Sequence, residues 1–110
     1  MKTERFHIDF ILDSVRKIEE YTSGIDRESF DKNTMVQSAV ILQLMLIGET
    51  SKKLSEETKN KMDLPWKQIA GFRDMAIHDY VNLNLGKILD AVEDRIPELK
   101  VKLLEYKNKT

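Results

Sequence analysis

The sequence predicts an all-α fold, an up-and-down bundle of four to five helices, and three observations carry that expectation. Apolar residues recur with the period of about 3.6 that places them on one face of a helix, and they do so through most of the chain. No stretch of useful length alternates with the period of two that a half-buried strand requires. Proline, the residue least compatible with a helix interior, occurs only twice in 110 residues, as Pro65 and Pro97.

The elements follow in order. Ile8, Ile11, Leu12, Val15 and Ile18 fall at i, i+3, i+4, i+7 and i+10, one buried stripe of a first helix over residues 4–21. Phe6 and Phe10 lie opposite that stripe and predict a second contact surface. Thr22, Ser23 and Gly24 end the helix, with Gly suited to the left-handed position beyond a helix end. A polar connection over 25–32 carries a helical turn around Phe30. The second helix spans residues 33–54. Met35, Val36, Ala39 and the run from Val40 to Ile47 cover nearly its whole circumference, so it is expected at the centre, against its own bundle and against a partner subunit. Residues 55–63 read as a short polar helix and a turn. Pro65 opens a helix over about 65–78 or a little beyond. Asn82 and Asn84 are candidate N-caps for a helix reaching residue 95, and Pro97 is expected to kink or restart it before it continues to residue 106. The whole chain, 1–110, reads as a single domain.

Composition removes several classes of function. There is no cysteine, which excludes disulfide scaffolds, thiolate metal sites and cysteine nucleophiles. The amino-terminal residues lack the apolar core of a signal peptide, and no apolar run is long enough to span a bilayer, so a cytoplasmic protein without membrane contact is expected. The net charge of −1 provides no bulk attraction for nucleic acid, so any such site must be local. Lysine and arginine number six against nine acidic residues in 1–50 and twelve against ten in 51–110, a mild lean toward an anionic ligand in the second half.

Candidate catalytic groups are few. Glu4 and His7 form one Glu-x-x-His fragment, but a di-iron bundle needs a second copy, and Met75 stands where it would require a carboxylate before His78. His7 is therefore expected at the surface. What remains is Arg73-Asp74-Met75-Ala76-Ile77-His78-Asp79-Tyr80. Arginine grips a phosphate through two parallel hydrogen bonds. Histidine titrates near neutrality and can take a proton from a ribose 2′-hydroxyl or give one to a leaving 5′-oxygen. Together they suffice for RNA cleavage without a metal or cofactor. The same residues also read as an ordinary exposed face, with an Asp74–His78 pair one turn apart and a salt bridge at Arg73. On an ideal helix His78 lies about 140° around from Arg73 whereas Tyr80 nearly eclipses it. Convergence on one phosphate thus requires a helix that bends or ends near His78, side chains that meet by their length, or a site shared between two subunits.

Arg73-x4-His78-x-Tyr80 resembles the motif of HepT proteins, a branch of the HEPN superfamily. The approach to it, Leu64-Pro65-Trp66-x-x-Ile69-x-Gly71-x-Arg73-Asp74, is similar to the corresponding family stretch. Ile47-Gly48-Glu49 resembles the family's central-helix pattern, and Glu19-Glu20-Tyr21-Thr22-x-Gly24 the end of its first helix. The resemblance spans most of the chain. It implies a dimeric HEPN-type bundle with the motif in a cleft between protomers. It implies a metal-independent endoribonuclease, the toxin of a type VII-like toxin–antitoxin pair, acting on transfer RNA or messenger RNA. The antitoxin would be an MntA-type nucleotidyltransferase that silences the toxin by transferring AMP to the motif tyrosine, here Tyr80. The alternative is a non-catalytic helical partner or regulatory module of a nucleotidyltransferase.

On this reading His78 is the general acid/base and Arg73 the phosphate clamp. Asp74 supports one of them, and Tyr80 positions RNA or accepts AMP. Asp79 is expected as a solvated charge, and a metal site from Asp74, His78 and Asp79 is rejected because adjacent helix positions diverge. Gly71 is expected to permit a close helix crossing, Trp66 to anchor the core, and Glu49 to pair with Lys53 on the surface.

Overall fold

In the computed structural model, residues 3–109 are described, and they form helices and turns with no strand among them. Each of the first four helices starts on a polar side chain that accepts from a backbone amide the helix cannot satisfy itself. Thr3 accepts from Phe6 to open α1 (Glu4–Thr22), and Asp26 from Ser29 to open α2 (Arg27–Lys32). Asn33 accepts from Val36 to open α3 (Thr34–Ser51), and Ser55 from Thr58 to open α4 (Glu56–Asn60). After α5 (Trp66–Ala70) come α6 (Phe72–Val81) and α7 (Leu85–Lys109). Four of these helices are long and three are short, so the expected bundle is present with extra single turns in its connections.

The α1 stripe is buried as its spacing predicted, with Ile8, Ile11, Val15 and Ile18 at the core. It packs on α3 and α7; α3 also packs on α5 and α6, and α6 on α7. One hydrophobic core joins them, with Phe30, Leu44, Ile47, Phe72, Ile88 and Leu99 among its fully buried side chains. Burying each such side chain contributes roughly 1.5–3 kcal/mol. α3 is central but not enclosed: Val40, Leu44 and Ile47 are buried, while Met35 is 78% and Leu42 52% exposed. One apolar face of the central helix is therefore bare in the single chain.

Several boundaries differ from the sequence expectation, each for a local reason. α3 stops at Ser51 because the Ser51 hydroxyl turns back to the Gly48 carbonyl at 2.8 Å, and Lys53 and Leu54 bond three residues back instead of four. The helix expected over 65–78 is two helices. Gly71 ends α5 and starts α6 at φ −80° and ψ 0°, its amide shared between Lys67 and Gln68 carbonyls. α6 then runs to Val81, a little beyond His78 as expected. Asn82 caps its C-terminus instead of opening the next helix. The amide of Leu83 bonds Tyr80 at 3.0 Å and that of Asn84 bonds Asp79 at 2.7 Å, the two bonds of a Schellman motif. Leu83 occupies its left-handed position at φ 57°, a place where a Cβ is costly. α7 neither kinks into two helices nor restarts at Pro97, which faces solvent, where water can satisfy the carbonyl one turn back.

Two polar residues expected at the surface are buried. His7 is 9% exposed, its ring edge-on to Phe6 with centroids 5.7 Å apart. Asp79 is 5% exposed. Trp66 is half-buried against the core, as an anchor should be, and its indole N–H donates to the Lys59 carbonyl at 3.1 Å, which ties α5 to α4. Among the described residues no helix is long and apolar enough to cross a membrane.

Candidate functional site

The position of α6 is set by a glycine on the neighbouring helix. A Cβ built on Gly48 of α3 would stand 3.1 Å from the Arg73 amide nitrogen and 3.3 Å from the Ala70 and Ile69 carbonyl oxygens. Only a residue without a side chain lets α3 approach the α5–α6 junction this closely. Gly71, expected to serve that purpose, meets only carbonyls of its own turn, at 3.4 and 3.5 Å. Its role is to end one helix and begin another.

The close approach places Glu49, the next residue of α3, beside Arg73. The guanidinium Nη1 is 3.7 Å from Glu49 Oε1, and Lys52 approaches the same oxygen at 3.3 Å. Both Arg73 and Glu49 side chains are about half exposed, so this pair is worth little, roughly 0–1 kcal/mol. Its effect is on aim: the guanidinium is held near α3 by a contact longer than a hydrogen bond, and its N–H groups remain available to a phosphate. Glu49 pairs with Lys52 and Arg73, not with Lys53.

His78 is exposed in the last turn of α6. Asn82, one turn on, donates its amide to the His78 carbonyl at 2.8 Å and lies 3.4 Å from ring Nδ1. When Nδ1 accepts from that amide, the ring proton of neutral His78 is on Nε2. Asn82 thus orients the imidazole, a role that its i+4 spacing from His78 would have signalled. Asp74 is exposed and touches neither partner: Glu49 stands next to Arg73 and Asn82 next to His78, and no ion pair among the described residues involves Asp74 or His78. Tyr80 is half-buried against the core, two turns beyond Arg73 on α6.

α6 is one continuous helix through the motif, so Arg73 and His78 point about 140° apart. Between them on its solvent face lie Ile77 and Val81, both exposed, with Leu83 exposed just beyond. An arginine edge and a histidine edge therefore flank a bare apolar strip. α6 ends at Val81, within one turn of His78, so both motif residues lie inside one helix.

A family model described as "Ribonuclease HepT-like" matches residues 11–105. Among curated proteins, one from Caldanaerobacter subterraneus subsp. tengcongensis, provisionally named an RNase, is 36% identical over 99% of this chain and 98% of its own length. A protein of Methanocaldococcus jannaschii, whose name joins a gamma-glutamylcyclotransferase to a provisionally assigned RNase, is 35% identical over 94% of this chain. The match covers 47% of that protein, so this chain spans about half its length. A protein of Thermococcus cleftensis, provisionally named ribonuclease HepT, is 32% identical over 92% of this chain and 93% of its own. No solved structure matches the chain.

Proposed function

The chain belongs to the HepT-like ribonucleases, and from that premise we propose that it is a metal-independent RNA endonuclease that cleaves through the ribose 2′-hydroxyl. The observation that carries the reading is the pairing on one helix of an arginine whose donors stay accessible with a histidine whose ring is oriented and exposed. Neutral His78 takes the 2′-hydroxyl proton as the 2′-oxygen attacks phosphorus. The bond to the 5′-oxygen breaks, and an imidazolium returns a proton to that leaving oxygen. The products are a 2′,3′-cyclic phosphate and a free 5′-hydroxyl. Arg73 binds the non-bridging oxygens and offsets the charge that grows on them in the transition state. Arg73 and His78 supply a clamp and a proton carrier, so the sequence of steps is complete without a metal ion or cofactor.

The step needs a base and an acid, and one chain offers one exposed histidine. We assign the second to a two-fold partner, packed on the bare faces of α3 and α6, so that the site lies between protomers. The physiological role on this reading is that of a toxin in a type VII-like pair, with transfer RNA or messenger RNA as substrate. AMP transfer from an MntA-type nucleotidyltransferase to Tyr80 would add phosphate charge to the helix that carries Arg73 and His78 and repel RNA.

The test uses purified protein and an RNA substrate in the presence of EDTA. Cleavage with cyclic phosphate ends is expected, and a single deoxyribose at the cut position should abolish it. Cutting of the deoxy substrate, or activity that vanishes only on chelation, overturns the mechanism. A protein that cleaves nothing and is harmless when expressed without its neighbour is instead a regulatory module.

A further inference from the structure

Three charged side chains meet where the end of α3 passes the start of α6. Glu49 Oε1 lies 3.3 Å from Lys52 Nζ and 3.7 Å from Arg73 Nη1. All three side chains are about half exposed, and among the described residues neither cation has an ion pair with another acid. A lysine and an arginine therefore converge on one oxygen of one carboxylate. The local charge is in excess on the positive side. Lys52, Lys53 and Arg73 stand against Glu49 and Asp74, and Lys53 is exposed without an ion pair among the described residues. Glu49 lies two turns along α3 from the exposed Leu42, so the group borders the bare apolar face and is reached from solvent.

An oxygen anion between a lysine and an arginine has the form of a bound phosphate oxygen. Lysine binds phosphate as a point charge and arginine with its planar fork. A phosphodiester carries one negative charge on two non-bridging oxygens, the same charge as the Glu49 carboxylate, so its exchange for that carboxylate leaves the cations equally neutralised. The contacts of Glu49 are weak enough to be exchanged, since they are solvated and the one to Arg73 is longer than a hydrogen bond. Lys52 directly follows the last residue of α3, where unpaired carbonyls attract a cation. That attraction accounts for a lysine at a helix end, but not for an arginine of another helix sharing its partner. We propose that Lys52 is a second phosphate-binding residue of the site, and that Glu49 fills the phosphate position until RNA displaces it. The inference deepens the RNA-cleaving reading above and rests on it, because that reading places a phosphate at Arg73. Lys52 is a positioning residue: it helps hold the phosphate, and the proton transfers stay with His78.

Binding of a fluorescein-labelled single-stranded RNA with 2′-O-methyl riboses tests this, read by anisotropy over a salt series on the full chain. Lys52→Gln should weaken binding severalfold, equally for strands of different sequence, and reduce the slope of log affinity against log salt by about 0.7. Lys32→Gln, which breaks a pair of the same kind with Glu28 on α2, should leave that slope unchanged. Glu49→Gln should tighten binding severalfold, because the phosphate no longer competes with a charge. All three side chains are substantially exposed, so melting temperatures should stay close to wild type. A Lys52→Gln slope equal to that of wild type, with only the melting temperature lowered, assigns Lys52 to the helix end and overturns the proposal. Weaker binding by Glu49→Gln overturns it as well, as does a wild-type chain that does not bind the strand. The strand cannot be cut through a 2′-oxygen, so the two readings fail separately. A chain that cleaves no RNA yet loses the slope in Lys52→Gln upholds the phosphate site and refutes only the cleavage. A chain that cleaves RNA while Lys52→Gln binds like Lys32→Gln keeps the cleavage and refutes the phosphate site.

Discussion

Replacing Gly48 with alanine tests whether helix contact, more than the motif itself, places Arg73. In an ordinary helix interior the change is favourable by roughly 0.5–1 kcal/mol, because glycine has more backbone freedom to lose. Here the new methyl meets the Arg73 amide at 3.1 Å and two carbonyl oxygens at 3.3 Å. These are backbone atoms at the α5–α6 junction and cannot rotate away. Overpacking of this kind costs roughly 1–3 kcal/mol. The two effects oppose each other and the clash is larger, leaving a net loss of about 1 kcal/mol and a melting temperature lower by about 4–8 °C. The junction must also move by a few tenths of an ångström, carrying Arg73 with it. Misplacement by about 1 Å can cost about a hundredfold in rate, so a loss of up to about tenfold is expected. Gly71→Ala is the control, since its methyl finds only ordinary contacts and its φ is negative; it should be neutral or stabilising by up to about 1 kcal/mol. Thermal melts and RNA cleavage on both variants decide the matter. If Gly48→Ala melts at or above wild type, the close approach does not set α6 and the reasoning fails.

Other expectations follow from single contacts. Leu83→Gly removes a side chain from a left-handed position and should raise stability in urea unfolding by about 1 kcal/mol; a loss would contradict the strain assigned there. His78→Ala should lower turnover by about 10²–10⁴-fold with RNA binding retained, whereas Asn82→Ala, which frees the ring to turn and also removes the side-chain bond to the His78 carbonyl, should lower it severalfold and shift the pH–rate profile. Tyr80→Phe should keep cleavage and block AMP transfer, read by mass spectrometry after incubation with the partner enzyme and ATP; an adduct elsewhere with toxicity still relieved would remove Tyr80 as the control point. Burial raises the Glu4 carboxyl, but the hydroxyl and amide of Ser55, then Thr58 and the nearby His7, outweigh it and hold its pKa below the ordinary 4.5. Its stabilisation is therefore fully present above about pH 4.5 and lost as the pH falls through the lowered folded-state value, and Glu4→Gln should flatten the acid end of the melting curve.

Long-range periodicity made the helices legible, and contacts between helices explain what was not. The α1 stripe of Ile8, Ile11, Val15 and Ile18 is buried as its spacing required, because a period-3.6 stripe has one way to leave water. Gly71 and Gly48 look alike as helical glycines, and only the packing of α3 on α6 distinguishes a helix break from a close crossing. Asp79 read as a solvated charge; the rotation that buries Phe72 and Ala76 buries Asp79 with them, a consequence visible only once the core face of α6 is known. Arg73 and His78 stood out by residue type, and the family resemblance rather than their spacing suggested roles for them. Glu49 and Asn82, which hold them, required knowing that α3 passes the start of α6 and that α6 continues one turn beyond the histidine.

The continuity of α6 also constrains how its chemistry is organised. A helix ending at His78 would have let the imidazole swing toward Arg73 within one chain, but the Schellman turn lies beyond Val81 and keeps both residues within one helix. Their divergence leaves two exits. Convergence by length asks two side chains to reach across Ile77 and Val81, and it still supplies only one proton carrier. Sharing between two chains, the reading proposed above, uses the same apolar strip as contact area and supplies two histidines. It also accounts for three features that a lone bundle leaves costly: the bare Met35 and Leu42 on the central helix, the exposed Val81, and a leucine in a left-handed turn where glycine would be less strained. On the reading proposed above, a partner surface would cover these side chains, none of which the core uses.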